Sequence, residues 1–471
     1  MTSKMAGQPS RELATVLAAT RFADLDALTV EHTERAVLDW LGSALAGSTE
    51  VPAAIAHTVA RGFGDSSEAT MFAGGRASAA AAAFANGVAA HILELDDIHK
   101  TSTVHGGAPI ISAALAVAER ERATGERFLT GVAVGYEAAF RIGEAVNPSH
   151  YRFWHPTGTV ATFGAAAAAG SIIGLTSEQM LHALGSAGTQ AAGLWEFNAD
   201  GAMSKHLHPG KAAMNGVIAA DLARAGFTGA SRILGGERGF FRAMCDVADS
   251  SRITAGLPVI GKIRENGYKL HACCGHTHSA IDLAIALRAR AGVSDHDAAA
   301  VESIEVETYG PGYEIVRESR PRTPYQAKFS LAYCVAVALL EGRAGLEQFS
   351  GDRFGASGVE PPGLASLVAR TRVRVAADLT RKYPAAWPAR VTLTLRDGAR
   401  LQDASDYPRG TPENPIDRRA LEAKFSALVG DRFGAEFAAR SLAATARLAS
   451  RSNLSETFGA LFSVSRPEVA V

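Results

Sequence analysis

Between Gly158 and Leu175 the chain runs without a single charged side chain, and most of that stretch is Ala, Gly or Thr. Its length approaches the minimum for a membrane span. Its small residues, however, make it only weakly hydrophobic, and small residues are what a helix needs when neighbours press on it from every side. The reading is therefore a helix buried in a soluble core, and a chain that must surround such a helix has to supply several more. The sequence offers them from Arg11 to about Gly261, with apolar positions three and four apart and turn signals between segments. Thr29 to Leu45 shows the pattern early: Val30, Ala36, Val37, Leu38, Leu41 and Leu45 alternate with Glu31, Glu34, Arg35 and Asp39. Ala77 to Leu95, Pro109 to Arg122, Phe128 to Val146 and Ser177 to Leu194 follow as candidate helices, several of them Ala-rich on all sides. No fixed period of about 20 to 50 residues repeats along them, which argues against a solenoid.

After Gly261 the pattern changes. Glu302-Ser-Ile-Glu-Val-Glu-Thr, Arg372-Val-Arg-Val and Arg390-Val-Thr-Leu-Thr-Leu-Arg alternate polar with apolar residues, the last ending at the Asp397-Gly398 turn signal. Helical patterns lie between the first two, over Ala327 to Glu341 and Leu364 to Arg370. From Asp417 to Leu461 the helical pattern returns, with Leu421, Phe425, Leu428, Phe437 and Leu442. The fold class expected is mainly α: a large, discontinuous all-helical domain with a smaller α+β domain inserted in it. The boundaries expected are 1–265 for the helical domain, 266–403 for the insertion, and 404–471 for helices returning to the first part.

Charge excludes some functions. The 47 basic and 48 acidic residues give a net charge of −1, with no charged run, so neither nucleic acid nor an anionic membrane is expected as a partner. The four cysteines, Cys245, Cys273, Cys274 and Cys334, form no CxxC and suit neither a disulfide framework nor a zinc finger. Met1 to Glu12 lacks the apolar run of a signal peptide, and a reducing, cytoplasmic setting is expected. No GxGxxG follows a strand and no GxxxxGK[ST] or GxSxG occurs, which argues against nucleotide cofactors and a serine elbow.

Chemistry-bearing residues concentrate in five stretches, which hold eight of the 14 histidines. Lys205, His206, His208 and Lys211 crowd between Ala-rich segments. Two readings stay open there: a solvated turn broken by Pro209 and Gly210, or a pocket that receives an anion, because buried cations are costly unless paired. Glu94, Asp96, Asp97, His99, Lys100 and His105 cluster at the end of an apolar helix, where either a capped loop or a site fits. His155 stands just before the uncharged helix, at an N-terminus that favours anions. Lys269, His271, Cys273, Cys274, His276 and His278 tempt a zinc reading, but adjacent Cys chelate one ion poorly, and His two apart on a helix diverge. An iron–sulfur cluster would need more separated thiolates. Tyr309 and Tyr313 sit on a glycine-bearing loop after a predicted strand, a weak signal by itself.

Taken in order, these stretches resemble the MmgE/PrpD family. The likeness rests on Ala36-Val-Leu-Asp-Trp-Leu-Gly, Phe84-Ala-Asn-Gly with Asp96-Asp97 and His105, Lys205-x-Leu-His-x-Gly-x-Ala-Ala with Gly216, Lys269 through His278, Ala327-Lys-Phe-Ser with Tyr333, and Asn414-Pro-Ile. The family includes 2-methylcitrate dehydratases, cis-aconitate decarboxylases and iminodisuccinate epimerases. The resemblance implies an all-helical domain with an inserted α+β lid, a homodimer, and a site between the domains that uses no cofactor and no metal. It implies His105, His155, Lys205 and Tyr313 as catalytic residues, with Asp96, Asp97, His208, Lys269 and Cys274 binding the substrate. The activity expected is that of a lyase, a dehydratase or decarboxylase, acting on a small di- or tricarboxylate by proton transfer beside a carboxylate. An epimerase acting on a compound such as iminodisuccinate is the alternative, and a non-catalytic carboxylate-binding protein the alternative of another class. Family decarboxylases carry His at the Cys274 position and Asp at Glu94, and these departures argue against that particular activity.

Overall fold

The computed structural model of the chain describes residues 9–294, 297–356 and 358–462. The signal-peptide reading therefore lies, for Met1–Gln8, outside the described residues. The chain forms two compact units. The first takes the chain up to Ile92, Asp96–Asn266 and the chain from Asp417 onward; the second takes Leu93–Leu95 and Gly267–Ile416. The fold is mainly α, with twenty α-helices and small sheets among the described residues. No helix among them is long and apolar enough to cross a membrane.

In the first unit the uncharged stretch becomes the helix Pro156–Ile173. Pro156 supplies a preset φ at its first turn, and Gly174, at φ +82°, ends it in the left-handed conformation a C-cap prefers. Every residue from Pro156 to Gly170 is buried. The small residues explain how: a Cβ added to Gly164 would lie 2.8 Å from the Gly135 carbonyl oxygen of helix Gly125–Val146, and one on Gly216 of helix Ser204–Arg224 would lie 2.4 Å from Ala165 Cβ. The backbones thus approach closer than larger side chains allow. Side-chain caps set the neighbouring boundaries: Asp26 accepts from the Thr29 amide, Thr124 from Arg127, and Thr176 from Gln179 in a capping box. The C-terminal helix Arg418–Phe433, capped by Asp417, returns to helix Ala27–Gly47, where Lys424 Nζ meets Asp39 Oδ1 at 2.6 Å and Phe425 fits over Gly42.

The second unit is built on a four-stranded sheet in the order Thr371–Val375, Val301–Thr308, Ala389–Leu395, Arg400–Ser405. Val301–Thr308 pairs in parallel with Thr371–Val375 and antiparallel with Ala389–Leu395, which turns at Gly398 (φ +90°) into the last strand. That last strand, Arg-Leu-Gln-Asp-Ala-Ser, was not expected: it is an edge strand, alternately exposed, with too few apolar residues to show a period of two. It and the bond from the Tyr268 amide to the Gly410 carbonyl, 2.8 Å, tie residues past 403 to this unit. Two further expectations need correction. Ala327 to Glu341 is not one helix: Ser330 caps a new helix, Leu331–Glu341, by accepting from the Tyr333 amide. Tyr313 lies not on a loop but in the short helix Gly310–Val316, whose first turn Pro311 favours.

Candidate active site

Three parts of the first unit, far apart in sequence, meet in one place. Helix Ala79–His91 crosses helix Ser204–Arg224 where Gly87 faces Gly210: a Cβ on Gly87 would lie 2.9 Å from Gly210 Cα, and one on Gly210 would lie 2.5 Å from Val88 Cγ2. Helix Pro156–Ile173 adds Gly158, whose missing Cβ leaves room for His208. The close crossings put His91, at the end of its helix, together with Lys205, His206 and His208 on the second helix and with His155 at the cap of the third. The turn read around Pro209 and Gly210 does not exist. Lys205 to Lys211 lie inside helix Ser204–Arg224, because Pro209 falls only in its second turn, where a single ladder bond is lost, and Gly210 is required by the crossing.

Asp96 is the centre of one half of the cluster. Its Oδ2 lies 2.6 Å from His91 Nδ1 and 3.4 Å from His105 Nδ1, and the His91 and His105 rings meet edge to face at 4.8 Å. In the other half, His155 and His208 bring their Nδ1 atoms to 3.0 Å, so one of them carries the proton and the other accepts it. The backbone holds His155 in place, its amide donating to the Gly193 carbonyl at 2.9 Å, while Trp195 and Phe197 flank the ring. The His91 ring stands 5.6 Å from His155 and 6.4 Å from His206, between the two halves. Lys205 is buried within the same helix turn as His208.

Burial and mutual charge set the protonation. Burial first, then the His208, His91, Lys205 and His105 charges, hold His155 well below the usual imidazole range. Burial, then Lys211, pushes His208 down to about 3. His91 is lowered by burial, with Asp96 opposing. Burial would raise Asp96, but the charges and hydrogen bonds of His91 and His105 outweigh it and keep Asp96 well below the usual carboxylate range. The result is a buried carboxylate beside a group of imidazoles, of which His91, His155 and His208 are held toward the neutral form, with Lys205 close by, a set able to receive an anion and to pass a proton.

Several residues singled out in the sequence are occupied by the protein itself or belong to the second unit. Asp97 takes bonds from the Gly107 amide (2.8 Å), Tyr136 hydroxyl (2.6 Å) and Asn266 (2.8 Å), and burial pushes it up to about 6. Lys211 points to the carbonyls of Ala192 (2.8 Å), Gln190 (3.3 Å) and Gly158 (3.4 Å), and burial lowers it to about 8. His99 stacks on Phe140 and bonds Ser102. Lys269, Cys274 and Tyr313 belong to the second unit. There Lys269 forms a buried ion pair with Glu94 at 3.3 Å, and the Cys274 amide donates to the Lys328 carbonyl. His276 and His278 diverge as their spacing implied, to the Tyr309 hydroxyl (2.5 Å) and the Cys273 carbonyl (3.3 Å).

His91 was not singled out in the sequence, where it reads as one more buried position of an Ala-rich helix. The signal available was its place at the helix end, five residues before Asp96. Among the described residues, His91, Asp96 and His105 form one group with ligand atoms within 4.8 Å of each other, and His99, Glu144 and Glu265 another; either has a donor set suited to a cation. In the second group Lys262 already contacts both carboxylates, at 2.8 Å and 3.0 Å.

Residues 11–252 match the family model for the MmgE/PrpD N-terminal domain, and residues 271–449 that for the MmgE/PrpD C-terminal domain. The chain is 27% identical over 433 residues to a cis-aconitate decarboxylase of Homo sapiens, covering 89% of this chain and 87% of the relative. It is 27% identical over 371 residues to a cis-aconitate decarboxylase of Aspergillus terreus, covering 74% of each. A cis-aconitate decarboxylase-like protein of Aspergillus oryzae is 27% identical over 380 residues, or 76% of this chain and 77% of the relative.

Proposed function

The chain belongs to the MmgE/PrpD family, and from that membership we propose that it is a cofactor-independent lyase, a dehydratase or decarboxylase of a small di- or tricarboxylate. The observation that carries the reading is the convergence of His91, Asp96, His105, His155, His208 and Lys205 in one buried cluster. Breaking a C–H or C–C bond beside a carboxylate leaves an electron pair on carbon that water stabilises poorly. The Lys205 ammonium and oriented imidazole N–H groups lower that barrier; a neutral imidazole is ready to take the proton, and the imidazolium it becomes is the group that returns it. In a dehydration the pair closes a double bond as hydroxide leaves and is protonated to water. In a decarboxylation it stays on carbon as carbon dioxide leaves, and an imidazolium that has taken a proton from solvent delivers it to that carbon and returns to imidazole. Lys205, His105 and His155 hold the substrate carboxylates in this reading, with His208 setting the tautomer of His155. Tyr313, Lys269 and Cys274 stand as candidates on the family resemblance alone.

The names of the relatives support a lyase of a polycarboxylate. The Cys274 and Glu94 departures argue for a substrate other than cis-aconitate. The protein is expected to work as a homodimer in the cytoplasm. Proton NMR in D₂O against C4 to C7 acids tests the proposal: loss of water or carbon dioxide with deuterium entering at carbon supports it. Deuterium exchange with inversion alone makes the protein an epimerase, and calorimetric binding with no exchange makes it a carboxylate-binding protein. Lys205→Ala and His155→Ala are each expected to lower kcat/KM by about a hundredfold or more, and near-normal kinetics in both would remove the site assignment. Activity that follows metal content across preparations would sink the cofactor-independent reading in favour of a cation on the His91, Asp96 and His105 group.

A further inference from the structure

We propose that His91 is a positioning residue for proton transfer: its Nδ1–H, donated to Asp96 Oδ2, holds that carboxylate in place to receive His105. The inference rests on the function proposed above and adds a residue to it. His91, Asp96 and His105 form a graded chain from the interior outward. His91 and Asp96 have fully buried side chains, and His105 is 12% accessible. The inner contact is a bond of 2.6 Å; the outer one, 3.4 Å, is beyond a well-formed hydrogen bond. Among the described residues Asp96 Oδ1 has no hydrogen-bond partner, so the donation from His91 is what satisfies this carboxylate while His105 stands off.

A buried carboxylate with no donor is costly and tends to take up a proton. With His91 donating, Asp96 stays ionised and fixed. When His105 accepts a proton at its outer nitrogen, its Nδ1–H can close on Asp96 to the ~2.7–2.9 Å of a charge-assisted bond. The imidazolium is thereby stabilised at the moment it forms. The edge-to-face contact at 4.8 Å makes His91 also a wall for the His105 ring, limiting the directions in which it can tilt. Packing alone does not explain a histidine here. Its helix neighbours, Val88, Ala89 and Ala90, are small and apolar, and an apolar side chain at 91 would avoid burying an imidazole whose Nε2 has no partner among the described residues.

The two nitrogens separate the roles experimentally. Asn places its amide N–H near the Nδ1 position, so His91→Asn keeps a donor for Asp96 and removes the ring; His91→Leu keeps bulk and removes the donor. His91→Leu is expected to lower kcat by about a hundredfold with KM within about threefold of wild type, and His91→Asn to recover kcat to within about tenfold. Should His91→Leu fail to fold, His91→Gln, whose amide sits near the Nε2 position, replaces it with the same expectation. A variant series in which Asn is as impaired as Leu, or in which Leu has wild-type kcat, overturns the inference. NMR of the ring ¹³Cε1 resonances decides it independently of turnover. The His105 signal is expected to move in His91→Leu and to stay near its wild-type position in His91→Asn; equal movement in both, or movement in neither, overturns it. If the wild-type protein turns over no carboxylate while the NMR pattern holds, the proposed function has failed and the positioning role has not.

Discussion

Lowering the pH from 7 to 5 should loosen the core of the first unit, and the size of the effect follows from its histidines. His91, His150, His155 and His208 are buried there, and burial is the leading cause that lowers each of them, His150 to about 4 and His208 to about 3. In the unfolded chain an imidazole titrates near ~6.5. A group whose folded pKa is depressed contributes its full stability above the unfolded value and loses it as the pH falls toward the folded one. Since pH 5 lies about 1.5 units below the unfolded value and above the folded values of His150 and His208, each of these residues loses about 2 kcal/mol there. Asp97 acts in the opposite sense. Burial raises it to about 6, so the folded state binds that proton first and gains about 1 kcal/mol by pH 5. Asp96 is depressed below its ordinary range and its contribution is lost only at more acid pH. The net loss is about 3 kcal/mol before His91 and His155 are added. Hydrogen exchange of peptides from Pro156–Ile173 and Ser204–Arg224, corrected for intrinsic rates, reads the opening free energy of these helices at each pH. His208→Gln should flatten the dependence by about 2 kcal/mol. Opening free energies that are constant or higher at pH 5 would refute the argument that these imidazoles are buried and neutral.

Gly210→Ala should destabilise the first unit by about 1–3 kcal/mol in urea melts, since its methyl would meet Val88 Cγ2 at 2.5 Å and the Phe84 carbonyl at 2.6 Å; a neutral effect would mean the two helices can part. Lys424→Met removes the ammonium that faces the buried Asp39 carboxylate at 2.6 Å, and a loss of about 3–5 kcal/mol is expected, with earlier proteolysis within Arg418–Phe433. Protection equal to wild type would show that the ion pair does not hold that helix.

The candidate site was legible in parts. Lys205 and His208 stood out because charged groups are rare in Ala-rich surroundings, His105 by its place at the end of an apolar helix and His155 by its place before the uncharged one, and the structure brings them into one unit together with Asp96. Asp97 stood out beside His105 at that helix end, yet its oxygens are spent on Tyr136, Asn266 and the Gly107 amide. His91 escaped notice because a single polar residue at a helix end has no periodic signature. Of the two readings left open around Pro209 and Gly210, the turn is the one that fails, because proline in a second helical turn differs from proline in a loop only through what packs around it.

Helix and strand identity were set by neighbours in sequence: apolar spacing of three and four, alternation in 301–308 and 389–395, and capping residues such as Asp26 and Thr176 act over a few residues and can be read from them. What those elements meet was decided only in three dimensions. Gly87 and Gly210 are 123 positions apart, and nothing local to either announces that two backbones pass there. The same is true of protonation, because a histidine becomes a neutral acceptor through the water that its distant neighbours exclude and the charges they bring near.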